Sequence, residues 1–287
     1  MRYGVTIFAT DTSIDIIELA RAAEDRGLDS LWLPEHTHIP TSRVSPWPGG
    51  GDLPEEYWHS LDPFVALTAA AVSTTRLRVG TGIMLAAQRE PIAAAKAVAT
   101  LDRLSGGRVT LGVGYGWNVE EMNDHGVEYP ARRAVVREHV LAMQALWRDD
   151  EASFDGDFVS FPPSWSWPKP VQRDGDGATR VPVVLGGGAG PKLFEAIAEY
   201  GDGWIPIGGA GLTKAIPQLH EAMAAAGRDP ADVEVIPFGT FPDGGKLDHY
   251  AEIGVAEVVC ALPSAPREQV LPWLDKVTEV VAAHRAA

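Results

Sequence analysis

Residues 77–113, LRVGTGIMLAAQREPIAAAKAVATLDRLSGGRVTLGV, decide the fold. Leu77–Met84 is a short apolar run bounded by polar residues, the pattern of a strand covered on both faces. Pro91 opens a helical stretch to Leu104, and Gly106-Gly107 stands just past its end, where a left-handed residue closes a helix. Val109–Val113 is apolar again. A strand, a helix and a strand in succession form a parallel pair joined by a crossover.

The same unit recurs along the chain. Met1–Ala9, Leu28–Leu33, Val181–Leu185, Gly203–Pro206, Val233–Pro237 and Glu257–Ala261 read as strands. Helical stretches alternate with them: one capped near Thr12 or Ser13 and closed by Gly27, then Asp62–Ser73, Ala131–Trp147, Pro191–Tyr200, Leu212–Ala226, Lys246–Ile253 and Pro266–Ala283. Eight strand-then-helix units in 287 residues predict an α/β fold, a (β/α)8 TIM barrel forming one domain over residues 1–287. An open doubly wound sheet is the alternative. Residues 39–60, 116–130 and 152–180 remain as long loops rich in Pro, Gly and Trp. Those that follow strands belong on the C-terminal face of the barrel, where sites of this fold are built.

Composition narrows the function. The formal charge of −15 argues against nucleic acid and against anionic membrane surfaces. A single cysteine, Cys260, excludes an internal disulfide, and "VAEVVCAL" reads as a buried strand around a packed thiol. The N-terminal apolar run is too short for a secretion signal, and no run reaches membrane-spanning length, so a soluble cytoplasmic protein is expected.

Chemistry concentrates at strand ends. Glu35 and His36 follow the second strand in "LWLPEHTH"; a histidine there faces the barrel mouth and can exchange protons near neutral pH. A metal reading of Glu35, His36 and His38 is weaker, because Gly186, Ile207, Phe238 and Leu262 at later strand ends are not ligands. Gly80-Thr81-Gly82 ends the third strand, where glycines permit close approach of a flat ligand. Gly112, Gly114 and Gly116 follow with Trp117 and Asn118 at the rim; their spacing is not that of a dinucleotide fingerprint. Gly186-Gly187-Gly188-Ala189-Gly190 leads into a helix at Pro191. Converging backbone amides with a helix N-terminus suit a phosphate, although no Gly-Lys-Ser/Thr makes it a P-loop.

Residues 27–41, 62–121 and 181–204, most specifically "ATLDRLSGGRVTLGVGYGW", together resemble the bacterial luciferase-like oxidoreductases and their actinobacterial deazaflavin-dependent branch. The resemblance covers residues 1–210. It implies a barrel that holds coenzyme F420, or FMN as the alternative, at its C-terminal face. It implies a non-proline cis peptide at Gly82-Ile83, a cofactor-phosphate segment at Gly187, Gly188, Ala189 and Gly190, and further cofactor positions at Gly114, Tyr115 and Asn118. His36 matches the histidine beside the reacting ring face. The sugar-phosphate dehydrogenase branch carries a glutamate where this chain has Tyr115, so neither that acid nor that substrate is carried over. Glu35 stands where many relatives have aspartate.

The expected activity is hydride transfer between F420 and a small organic substrate, with His36 exchanging the proton, Glu35 assisting and Tyr115 and Trp117 shaping the pocket. An FMN-dependent monooxygenase and a non-catalytic cofactor-binding barrel are the alternatives, and a homodimer is the expected assembly. The Trp-rich stretch "PPSWSWPKP" either closes over the site or packs on a partner subunit.

Overall fold

The computed structural model describes residues 1–241 and 243–286. Its strands are β1 (Arg2–Thr6), β2 (Ser30–Leu33), β3 (Arg78–Thr81), β4 (Met84–Leu85), β5 (Val109–Gly114), β6 (Ala152–Asp155), β7 (Ser160–Ser164), β8 (Val183–Gly186), β9 (Gly203–Ile205), β10 (Glu234–Val235) and β11 (Glu257–Ala261). Its helices are α1 (Ile16–Asp25), α2 (Glu56–His59), α3 (Pro63–Val72), α4 (Pro91–Ser105), α5 (Val119–Asp124), α6 (Arg132–Arg148), α7 (Pro191–Tyr200), α8 (Leu212–Ala225), α9 (Gly244–Glu252) and α10 (Arg267–Ala286).

Eight strands pair in parallel in the order β10-β9-β8-β5-β3-β2-β1-β11. The remaining seam, between β10 and β11, is closed by a single bridge from Phe238 to Val259 and by the Ala256 amide on the Val235 carbonyl (3.0 Å). The result is the expected (β/α)8 barrel. Among the described residues, no helix is long and apolar enough to cross a membrane.

Glycines let the barrel interior fill in layers. Toward the N-terminal end, buried Glu257 accepts hydrogen bonds from Ser30, from the Trp32 indole (3.0 Å) and from Arg2 (3.0 Å). A side chain at Gly4 would strike the Ser30 hydroxyl. Trp32 lies above this network, and a Cβ at Gly80 would meet its ring at 2.4 Å. Phe238, Ile205, Val184, Ile236 and Val259 complete the upper layer, with Ile83 packed against it.

Several details depart from the sequence reading: α2 and α5 fall within the expected loops 39–60 and 116–130, and three further differences bear on the barrel. The expected strand 77–84 breaks into β3 and β4 at a cis peptide between Gly82 and Ile83, the bond the resemblance implies. Thr10 and Ser13 bond one another in a turn (2.9 and 3.0 Å), so Asp15, not Thr12 or Ser13, caps α1 through the amides of Ile17 and Glu18. Residues 152–164 form the β6–β7 hairpin rather than a loop. Phe154 and Phe161 stack there, and Glu138 of α6 accepts the amides of Asp157, Phe158 and Val159 at its turn. The Trp-rich stretch continues along the outside: Lys96 of α4 donates to the Trp167 carbonyl, and Lys169 donates to the Leu146 carbonyl at the end of α6. It is therefore anchored on the outer helices and does not cover the mouth.

Candidate active site

The sequence places Glu35, His36 and His38 within four residues beyond β2, and the structure sends them three ways. Glu35 turns inward and is 2 % exposed. Its carboxylate accepts the Leu85 amide (2.8 Å) and the Arg89 guanidinium (2.5 Å), and Arg89 also reaches Asp62 (2.6 Å). Burial pushes the Glu35 carboxyl up, opposed by Arg89 and the Leu85 amide. With two strong donors on it, Glu35 fastens the segment after the cis bulge. The expected partnership with His36 is not formed, because successive side chains at a strand end diverge. His38 points to the outer surface, where it meets Asp124 (3.0 Å), Thr37 and the ring of His125.

His36 finds its partner elsewhere. Its Nδ1 lies 2.8 Å from an oxygen of Glu121, and both side chains are nearly buried. The other Glu121 oxygen accepts the Thr37 amide (3.2 Å). An ionised carboxylate can only accept, so the contact assigns a proton to Nδ1. Among the described residues Nε2 has no hydrogen-bond partner, which leaves it to whatever enters the mouth. Tyr57 and Trp117 flank the imidazole at ring separations of 5.1 and 5.9 Å, and Trp47 packs edge-on against Tyr57.

Three residues at the start of α5 organise this side of the mouth. The Asn118 side chain caps the helix by accepting the Glu121 amide (3.2 Å), which fixes the backbone that carries Glu121. Glu120 takes the opposite direction. It accepts the amides of Val44 (2.8 Å) and Ser45 (2.9 Å) and the hydroxyls of Ser42 and Ser45, tying the loop after β2 to the helix. Burial would raise the Glu120 carboxyl, but these hydrogen bonds outweigh it and hold it down to about 2.

The floor of the mouth is Ile83. A Cβ at Gly114 would lie 1.5 Å from Ile83 Cδ1, and one at Gly186 would lie 2.9 Å from its Cγ2. Gly82 is constrained in the same way by Phe238 (2.3 Å). Gly114 therefore lacks a side chain to make room for Ile83. Strand alternation then turns Tyr115 outward, away from the pocket it was expected to shape: its hydroxyl meets that of Tyr200 (3.1 Å), and Arg133 lies over its ring. On the β8 side, a Cβ at Gly188 or Gly190 would meet nothing within 4 Å. The amides of Gly188, Ala189 and Gly190 have no acceptor among the described residues, and the ten-residue helix α7 begins immediately after them. Such a turn can hold a phosphate. His36 and this turn follow the C-terminal ends of β2 and β8, so they share one face of the barrel.

Residues 3–241 match the model of the luciferase-like monooxygenase family. The chain belongs to that family. Over 286 residues, covering 98 % of this chain and 99 % of the other, it is 40 % identical to protein Rv0953c of Mycobacterium tuberculosis. It is 32 % identical over 228 residues to the F420-dependent glucose-6-phosphate dehydrogenase of Amycolatopsis mediterranei, spanning 77 % of this chain and 62 % of that one. The fold matches monooxygenase RslO1 from Streptomyces bottropensis with a TM-score of 0.79 at 20 % identity, over 99 % of this chain and all of the other. F420-dependent enzymes thus occur among the relatives, and a riboflavin lyase of the same fold (TM-score 0.66 at 18 % identity, over 88 % of this chain and 66 % of the other) was solved with a modified FMN.

Within this family frame, Glu121 is the residue the sequence reading missed. It stands 85 positions from His36, and its only signal is its place as the third residue of a short capped helix at the mouth.

Proposed function

We propose that this luciferase-like protein is an F420-dependent oxidoreductase acting on a small organic substrate, with His36 as proton donor or acceptor. The observation that carries the reading is the His36–Glu121 contact, which leaves Nε2 unpaired at the mouth. Glu121 sets the tautomer and stabilises the charged imidazole when the ring takes up a proton. Ile83 offers an apolar floor held in place by Gly82, Gly114 and Gly186. The amides of Gly188 and Ala189 have the chemistry to hold a phosphoryl tail. A deazaflavin held there would carry the hydride to or from the substrate. The protein's own part is to seat the ring on Ile83, keep water away with Tyr57 and Trp117, and exchange one proton at His36 Nε2. The resemblance and the F420-dependent relative support F420 over FMN.

Fluorescence titration of the purified protein with F420 and with FMN tests this. Saturable binding of F420 and not of FMN is expected. Preference for FMN would move the chain to the monooxygenase side of the family, and binding of neither would overturn the proposal.

A further inference from the structure

Arg43 lies in the loop that Glu120 ties down. Its φ of +49° makes it the non-glycine residue with a left-handed backbone among those described. A residue with a Cβ is held there only when its surroundings dictate it. Glu120 does so: it grips Ser42, Val44 and Ser45, on both sides of Arg43, and the Ser45 hydroxyl accepts the Val119 amide (3.0 Å). The constrained turn delivers the guanidinium to the aromatic side of the mouth. Its central carbon stands 5.8 Å from the ring centroid of Trp117, the indole that packs against His36.

No guanidinium nitrogen of Arg43 has a hydrogen-bond or salt-bridge partner among the described residues; Nη1 is buried against the protein, and Nε and Nη2 are left accessible. A guanidinium cannot discharge by losing a proton, so accessible donors left without a partner beside the mouth suit an incoming acceptor. The chain has 39 acidic residues against 24 basic ones, yet none of their carboxylates answers this cation. Elsewhere at the mouth, Arg89 is met by both Glu35 and Asp62. Arg43 instead faces the indole of Trp117, which packs edge-on against Tyr57, itself packed edge-on by Trp47.

We infer that Arg43 determines specificity by donating to the anionic group of the substrate, which is a small organic acid, a carboxylate or phosphate ester with an apolar or aromatic body. The body packs against Trp117 and Tyr57 while its acid group pairs with the guanidinium, one indole away from His36. This rests on the proposed function for its substrate site, and it adds the class of substrate. The left-handed turn keeps the cation in place before the substrate arrives, so less ordering opposes binding.

Calorimetric titration tests it without turnover. The probes are benzoate, cinnamate and phenyl phosphate, each against its neutral counterpart: benzamide, cinnamamide and phenol. The variants are Arg43→Met and Arg43→Lys. In the native protein at least one acid should bind about ten- to a hundredfold more tightly than its neutral counterpart. Arg43→Met should erase that gap without shifting the thermal midpoint, and Arg43→Lys should keep part of it. Absence of discrimination in every pair, or a gap that survives Arg43→Met, overturns the inference. So does a third outcome, in which Arg43→Met weakens F420 but not the tail-less deazaflavin riboside, because the anion would then belong to the cofactor. Failure of the proposed function reads out separately, as native protein that binds neither F420 nor FMN.

Discussion

The two sides of the barrel mouth are built by opposite means. On the β2 side, each acidic side chain is fastened to a partner: Glu121 to His36, Glu120 to the 42–45 loop, Glu35 to Arg89. On the β8 side, Gly187–Gly190 offers backbone alone, with open space where side chains would stand at Gly188 and Gly190. The fastened side fixes donors and acceptors one by one, which discriminates between ligands and protonation states. The bare side can grip any group with oxygens to share. Under the proposed function the contrast divides the labour: selection and proton exchange at β2, general retention at β8.

The largest effect expected from breaking this division is at His36. His36→Asn should lower turnover about 10²- to 10⁴-fold, the usual worth of a positioned acid or base, and leave F420 affinity within about twofold. Glu121→Gln, which keeps shape and removes charge, should lose about tenfold or more in kcat with KM little changed. Equal loss of cofactor binding in both variants would mean that the fastened side retains the cofactor as well.

A smaller effect is expected on the bare side. Gly188→Asp places a carboxylate in the amide turn without a steric clash, since nothing lies within 4 Å of a Cβ there. F420 affinity should drop by about tenfold, with the tail-less deazaflavin riboside unaffected and the thermal midpoint unchanged. Parallel loss of both ligands would place the ring, not the tail, at this turn.

The smallest effect is a pH dependence of the 42–45 loop. The Glu120 carboxyl is held at about 2 in the folded chain against an ordinary 4.5. A lowered folded value adds stability above the ordinary value, and that stability is lost as pH falls from about 4.5 toward 2. The contribution is about 1–2 kcal/mol once solvent screening is allowed for. Thermal midpoints at pH 7, 4 and 3 should converge for native protein and Glu120→Gln as the pH drops. A constant difference across that range would show that the loop is held by something other than charge.

Much of this was legible in the sequence for local reasons. Strand and helix alternation is written in short windows, so the barrel could be read from residues such as Pro91, Gly106 and the apolar run at Val109. The bend at Gly82-Ile83 came from family resemblance, and the position of His36 from its place at a strand end. What stayed hidden depends on contacts between distant segments. Glu121 reads as one more acid in a helix, and nothing near His36 in the chain announces it. Arg43 looks like an ordinary loop cation until the bonds to Glu120 are seen. Tyr115 was open to a better reading: Gly114 faces inward, and the next residue of a strand must then face out.

Ile83 occupies the space denied to side chains at Gly114 and Gly186. The three positions are therefore sterically coupled. Drift at either glycine is blocked while the isoleucine stays, and shortening the isoleucine alone opens a hole beneath the ligand. A change of ligand that keeps the floor intact has to be made in the surrounding loops, with this trio left untouched.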